Sequence, residues 1–167
     1  QLGFAIAGIF VMLFLSKVDY RFYKKYYWQI YFVSWIILLL VLVPGLGVDV
    51  KGATRWIKIG PLQFQPSELT KIGMIIFFSG YLTDHKDDLQ DFKKGFVIPL
   101  LFLLPPIGIL FFVQNHLSVS LVICVIVVVI MFIAGCRLKH FMVVGIIAVS
   151  VLAGVLGFLQ LSGSNSF

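Results

Sequence analysis

An all-α polytopic transmembrane bundle is the fold class this sequence predicts, and three observations predict it. Hydrophobic residues make up 60% of the 167-residue chain and charged residues only 12%, with a mean hydropathy of +1.06. A soluble domain of this size cannot hide so much apolar surface, whereas a bilayer accepts it without a packed core. The apolar residues also fall into six runs, at 2–16, 28–47, 67–83, 96–113, 117–135 and 140–161. Finally, the connections between runs alternate between strongly and weakly basic, as the loops of a membrane protein do. Each run suits a hydrocarbon core about 30 Å thick. Backbone groups in lipid must pair within their own segment, so the runs are read as helices of a single membrane domain covering 1–167.

The run at 2–16 is followed by "SKVDYRFYKKYY" rather than by a small-residue cleavage site, which argues against a secretory signal peptide. Its aromatic and basic residues read as an interface belt of Tyr and Trp with snorkelling lysines. The second run, 28–47, leads into a polar loop at 48–66. The third, 67–83, ends at "DHKDDLQDFKKG", a solvated connection that lacks the glycine and terminal glutamate of a calcium loop. The fourth contains Pro105-Pro106, which removes two donors and predicts a kink. Cys124 and Cys136 are twelve positions apart, about 18 Å on one helix and too far for a disulfide. With no CxxC and no Cys/His cluster there is no zinc signature, and both read as packing residues. Gly145, Gly154 and Gly157 in the last run read as close-packing positions.

The net charge of +6 reports topology rather than a nucleic-acid partner, because no basic face is interleaved with exposed aromatics. Of 13 Lys and Arg residues, nine lie in the connections 16–27, 84–95 and 136–140, and three (Lys51, Arg55, Lys58) in the loop 48–66. The excess of positive charge places the first set in the cytoplasm and the 48–66 loop outside. Gln1 then begins outside. With apolar sequence at the very start and no polar tail at "SGSNSF", the chain reads as a piece of a longer membrane protein.

The loop and the helix after it hold the residues least easily explained by membrane insertion. Pro66 suits the first turn of a helix, where its missing N–H is no loss. Glu68 follows at the positive end of the helix dipole, and Lys71 shares its face three residues on. A lysine within or near hydrocarbon costs about 1–3 kcal/mol, which points to a bundle interior or a wet cavity. Arg55 suits bidentate phosphate binding, and Trp56 offers a flat face to a sugar or lipid. Arg55, Lys58, Glu68 and Lys71 together suit an anionic amphiphile. From the residues alone, an anionic lipid-linked substrate, an ion path and a structural ion-pair network all remain open.

The stretch "GATRWIKIGPLQFQPSELTKI" (52–72) resembles the signature loop of the SEDS family (shape, elongation, division and sporulation), which includes FtsW, RodA and SpoVE. Gly52, Ala53, Arg55, Trp56, Gly60, Phe64, Gln65, Pro66, Ser67, Glu68 and Lys71 carry the match. The hydropathy pattern agrees as helices two to seven of a ten-helix family. The resemblance implies a peptidoglycan glycosyltransferase that polymerises lipid II, an undecaprenyl-diphosphate-linked disaccharide-peptide, at the outer face of the bacterial cytoplasmic membrane during division, elongation or sporulation. It implies as partners a class B penicillin-binding protein and other divisome or elongasome proteins. Arg55, Trp56, Lys58, Gln65, Glu68 and Lys71 become substrate-binding residues, with the cations on the diphosphate, Glu68 as their partner and Trp56 shaping the groove. A lipid II flippase and a non-catalytic divisome scaffold are the rival implications. A divalent cation fits diphosphate chemistry, but no residue set in the chain marks its ligands, and no cofactor is identifiable.

Two departures from the family pattern stand out. Where many members read Gln-Pro-Asp-Leu-Gly-Thr, this chain has "QNHLSVS", with His116 at the aspartate position and Ser118 at the glycine. His116 removes a carboxylate and reads as an interfacial residue rather than a catalyst. The aspartate the resemblance implies as catalytic base belongs to a loop after helix seven, where this sequence stops, so no catalytic residue is assigned. The fragment alone is expected to be inactive.

Overall fold

The computed structural model of the chain describes residues 2–43, 47–50, 53–59, 62–114 and 116–146. Helix α1 runs Leu2–Leu15 and α2 Tyr20–Leu39, the latter continued by a tight 3₁₀ turn at Leu40–Leu42. Three strands follow: β1 (Gly47–Val50), β2 (Ala53–Ile59) and β3 (Leu62–Phe64). Then come α3 (Pro66–Asp84), α4 (Ile98–Gly108), α5 (Leu117–Ile133) and a last helix, α6, over 138–146. Wide π turns at Lys93–Val97 and Ile109–Val113 extend α4 on both sides. Among the described residues two helical runs, Tyr20–Leu42 and Lys93–Val113, are long and apolar enough to cross a membrane, and Leu117–Ile133 is a shorter apolar helix.

The all-α expectation needs correction in the polar loop. Residues 47–50, 53–59 and 62–64 form an antiparallel sheet in the order β1-β2-β3, with Val50 opposite Ala53 and Ile59 opposite Leu62. Each pairing leaves two residues between strands, Lys51-Gly52 and Gly60-Pro61, and glycine in a two-residue gap is a hairpin signal. The sheet packs against the end of α2 and the start of α3. A second difference is the start of α2, eight residues before the apolar run. The Asp19 carboxylate accepts the Arg21 N–H at 3.0 Å and caps the helix. A helix needs no apolar residues once it leaves the hydrocarbon, so hydropathy marks the membrane-depth part alone. Part of the presumed interface belt also turns inward: Tyr27 is 8% exposed, against 72% for Tyr20. Gly154 and Gly157 lie outside the described residues.

The core is the contact of α2 with α3, backed by α4 and α5. Lipid tails are as apolar as leucine, so close packing and interhelical hydrogen bonds, rather than expulsion of water, hold such helices together. Gly73 and Gly80 sit seven residues apart on α3 and let α2 approach. A Cβ at Gly73 would collide with the Ser34 hydroxyl, and one at Gly80 would lie 2.8 Å from the Tyr27 ring. Between them, Tyr31 stacks on Phe77 with ring centres 4.1 Å apart. Phe102 from α4 closes edge-on against Trp28, Tyr81 and Phe77.

Pro105-Pro106 explains how α4 joins this cluster. Pro106 has no N–H to offer the carbonyl four residues back, so the Phe102 carbonyl loses its partner within the helix. The Tyr31 hydroxyl donates to that carbonyl at 2.6 Å, and Tyr31 is 2% exposed. Past the prolines the Ile109 N–H is shared by the Pro105 and Pro106 carbonyls, and the helix widens into its π turn. The basic connections meet at one end of the bundle, where Lys24 pairs with Asp84 at 2.9 Å and Arg137 donates to Gln90 at 2.7 Å.

Tyr31→Phe should therefore destabilise the purified full-length protein by about 0.6–1.7 kcal/mol in detergent unfolding. In a Pro106→Ala background, where a new N–H can take the Phe102 carbonyl, the same change should cost much less. Equal losses in both backgrounds would refute this account of the bond.

Candidate functional site

At the end of the bundle opposite the Lys24–Asp84 pair, the turn between α4 and α5 gathers three other elements. Gln114 is 1% exposed, and its amide donates to the Leu38 carbonyl in the last turn of α2 at 3.0 Å. That carbonyl is among those a helix end leaves unpaired. The Gln114 carbonyl in turn accepts Nε of Arg55 from β2 at 3.3 Å. The buried Gln114 Oε1 has no hydrogen-bond partner among the described residues.

Arg55 reaches this turn because of a defect in the sheet. Val48 pairs with Trp56 and Asp49 with Thr54, so Arg55 is the extra residue of a bulge. A bulge bends the strand and re-aims one side chain without breaking the sheet. Beyond it β2 alternates normally. Ile57 is buried, and Trp56 and Lys58 occupy the other face, half-buried and exposed respectively. The expected grouping of Arg55 with Trp56 and Lys58 is thus divided. Arg55 joins the bundle end, while Trp56 and Lys58 look away from the buried side of the sheet.

Gln65 stands immediately before α3, at the cap position, but makes no side-chain cap bond. Its Nε2 lies instead 2.7 Å from Nε2 of His116. With the amide nitrogen assigned to this contact, Nε2 of the ring is the acceptor, which is the neutral tautomer with its proton on Nδ1. His116 is itself fixed by its backbone. Its N–H donates to the Leu110 carbonyl at 2.8 Å, and its carbonyl accepts the Ser120 hydroxyl at 3.1 Å. Pro66 opens α3, Glu68 lies in the first turn, and Lys71 Nζ pairs with Glu68 Oε2 at 2.8 Å. An exposed pair at this spacing contributes only about 0.2–0.5 kcal/mol, too little to account for a lysine at the membrane. The lysine side chain is 24% exposed and the glutamate 57%, so the cation is the inner member.

Charges from two elements act on the His116 ring. Burial holds its pKa below the usual histidine value, and the Arg55 guanidinium pushes it the same way. The Glu68 carboxylate opposes this, and the Lys71 ammonium adds to it. The cluster is then Arg55, Gln65, Glu68, Lys71 and His116, with Gln114 beneath it. His116 and Gln114 were not among the residues the sequence nominated for the site. The signal available was a polar turn, "QNH", at the same end of the helices as the signature loop.

Two further features bear on what the cluster can do. Among the described residues no three His, Cys, Asp or Glu side chains come together as metal ligands, and the Glu68 carboxylate is committed to Lys71, so this cluster does not fit a resident metal. A cleft of about 300 Å³ lined by Tyr20, Lys24, Ser79 and Thr83 lies at the other end of α2 and α3, away from the cluster. Two cations, a neutral imidazole, an amide and the positive end of α3 suit a multivalent anion.

The family model for FtsW, RodA and SpoVE, described as a cell cycle protein, matches residues 1–162. The probable peptidoglycan glycosyltransferase FtsW of Geobacter sulfurreducens is 33% identical over 149 residues, covering 89% of this chain and 40% of that protein. The stage V sporulation protein E of Bacillus subtilis is 32% identical over 161 residues, covering 93% and 42%. Among solved structures, the rod shape determining protein RodA of Thermus thermophilus superposes with a TM-score of 0.65 at 30% identity, covering 87% of this chain and 46% of that one. A chain from a peptidoglycan synthase complex, described as coordinating polymerization and crosslinking, superposes at 0.74 with 29% identity, covering 92% and 44%. The chain thus spans less than half the length of these relatives.

The electrostatics of the cluster can be tested by titration. Arg55→Gln and Lys71→Gln should each raise the pKa of His116, and Glu68→Gln should lower it. The pH dependence of His116 modification by diethylpyrocarbonate, mapped by mass spectrometry in the full-length protein, reads this out. A His116 profile that ignores all three substitutions would separate the ring from the charges.

Proposed function

The chain belongs to the FtsW/RodA/SpoVE family of cell cycle proteins, and from that premise we propose that it forms part of a membrane peptidoglycan glycosyltransferase that polymerises lipid II. The observation that carries this reading is the meeting of Arg55 and Lys71 with Gln65, Glu68 and His116 at the N-terminus of α3. Lipid II presents a diphosphate between a sugar and a long prenyl chain. An apolar bundle with a cationic end is matched to both halves of such a molecule. In this reading the chain contributes six membrane helices of a longer protein in the bacterial cytoplasmic membrane, with the sheet facing outside. A class B penicillin-binding protein crosslinks the product. The named functions of the relatives support the assignment.

The chemistry divides cleanly. The 4-hydroxyl of the incoming lipid II attacks the anomeric carbon of the growing glycan. A carbon–oxygen bond to the new sugar forms as the bond to the diphosphate breaks, and the departing lipid-diphosphate takes up the electron pair. Arg55 and Lys71 stabilise that charge, acting where it grows. The Gln65 amide adds a donor, and the positive end of the α3 dipole favours the anion. Glu68 holds Lys71 in place. Trp56, on the other face of the sheet, offers a surface to the sugars.

The test is polymerisation of labelled lipid II by the full-length protein with its transpeptidase partner. Arg55→Ala and Lys71→Ala should each lower the rate about 10²–10³-fold. Lys58→Ala, on the exposed face, should stay within about threefold of wild type. Undiminished glycan synthesis in both cation variants would overturn the assignment. A well-folded wild-type complex that makes no glycan would favour lipid II translocation or a scaffold role.

A further inference from the structure

We propose that His116 is a proton-linked positioning residue of this anion site: neutral while it holds Gln65, and a third cation once a diphosphate is bound. The inference rests on the reading of the cluster as a diphosphate site and adds a residue whose charge changes with the ligand.

The His116 backbone is tied at both its N–H and its carbonyl, so the ring stays at the mouth of α5. Facing it among the described residues are Arg55 from β2 and Glu68 and Lys71 from α3, with Gln65 in direct contact. On its own turn, the Gln114 carbonyl is engaged by Arg55. Burial disfavours an imidazolium, and two cations against one carboxylate, surroundings of about +1, act in the same direction, in agreement with a ring that accepts the Gln65 amide.

A bound diphosphate inverts that balance. In lipid II each phosphate has one ester and one anhydride bond and keeps one negative charge, so the surroundings pass from about +1 to about −1. The imidazolium becomes the favoured form, and both ring nitrogens are then donors. The Gln65 amide turns its oxygen to Nε2 or releases the ring, and a ring N–H is free to bond a phosphate oxygen. The proton comes from solvent, so binding takes up a proton.

The sign follows from linkage. His116 has a higher pKa with ligand than without. The added affinity is complete below the ligand-free pKa and disappears as pH rises through the ligand-bound pKa. A carboxylate at the same position would also take up a proton with the ligand, but in a more acidic window and without becoming a cation.

The experiment uses the full-length protein with its partner in nanodiscs and a fluorescent, short-chain lipid II, whose diphosphate has no proton to lose in this range. Between about pH 8 and pH 5.5 the wild-type Kd should tighten roughly five- to tenfold. In His116→Asn, which can still accept from Gln65 but cannot titrate, the change should be less than about twofold. Calorimetry of the wild type in buffers of different ionisation enthalpy should show proton uptake on binding, which makes the test independent of how well the variant folds. An equal pH slope in wild type and variant, or no proton uptake by the wild type, overturns the role of His116. Lipid II that fails to bind the wild type at any pH overturns the diphosphate reading as well, so the two failures are told apart.

Discussion

Much of the bundle depends on the bond from the Tyr31 hydroxyl to the Phe102 carbonyl. In hydrocarbon a free carbonyl finds no water, and Pro106 guarantees that this one is free. The remedy comes from another helix, so a local defect in α4 becomes a specific link to α2. Tyr31 also lies on Phe77, which brings α3 into the same contact. Gly73 and Gly80 then make sense as a pair, because without their missing side chains α2 could not come close enough for Tyr31 to reach. One tyrosine side chain thereby links three helices, through its hydroxyl to α4 and its ring to α3.

The opposite end is organised by a second case of the same constraint. The last turn of α2 leaves the Leu38 carbonyl unpaired, and Gln114 meets it from the α4–α5 turn. With that turn in place, its backbone presents an acceptor to Arg55 and its histidine an acceptor to Gln65. Groups that begin as repairs of helix ends thus become the frame on which the charged cluster is assembled. The sheet contributes through its irregularity: a regular strand at Arg55 would keep simple alternation, and the bulge is what re-aims that side chain.

Several features were legible in the residues themselves. The apolar runs marked the helices at membrane depth, and Pro66-Ser-Glu-Leu announced the start of α3 and its Glu68–Lys71 pair. The Pro105-Pro106 step announced an interruption of α4. The aromatic and basic stretch before residue 28 was harder, because hydropathy reports the solvent around a helix rather than the helix itself. The strands at 47–64 were hidden by their brevity and by a composition that reads equally well as loop. Trp56 and Lys58 were grouped with Arg55 because adjacency in sequence suggests adjacency in space, which a strand contradicts.

By itself, then, the sequence determined the membrane character of the chain, the alternation of its connections and the family to which its signature loop belongs. These depend on composition, on local spacing and on a run of matched residues, all of which are one-dimensional. The tertiary structure decided which polar groups meet. It separated Arg55 from its neighbours Trp56 and Lys58, and it brought Gln65 to His116 across fifty-one residues. It also placed the Phe102 carbonyl under a tyrosine seventy-one residues away. The reason is that unpaired groups at helix ends, bulges and prolines take whatever partner the packing delivers, and packing is a property of the assembled helices rather than of any one of them.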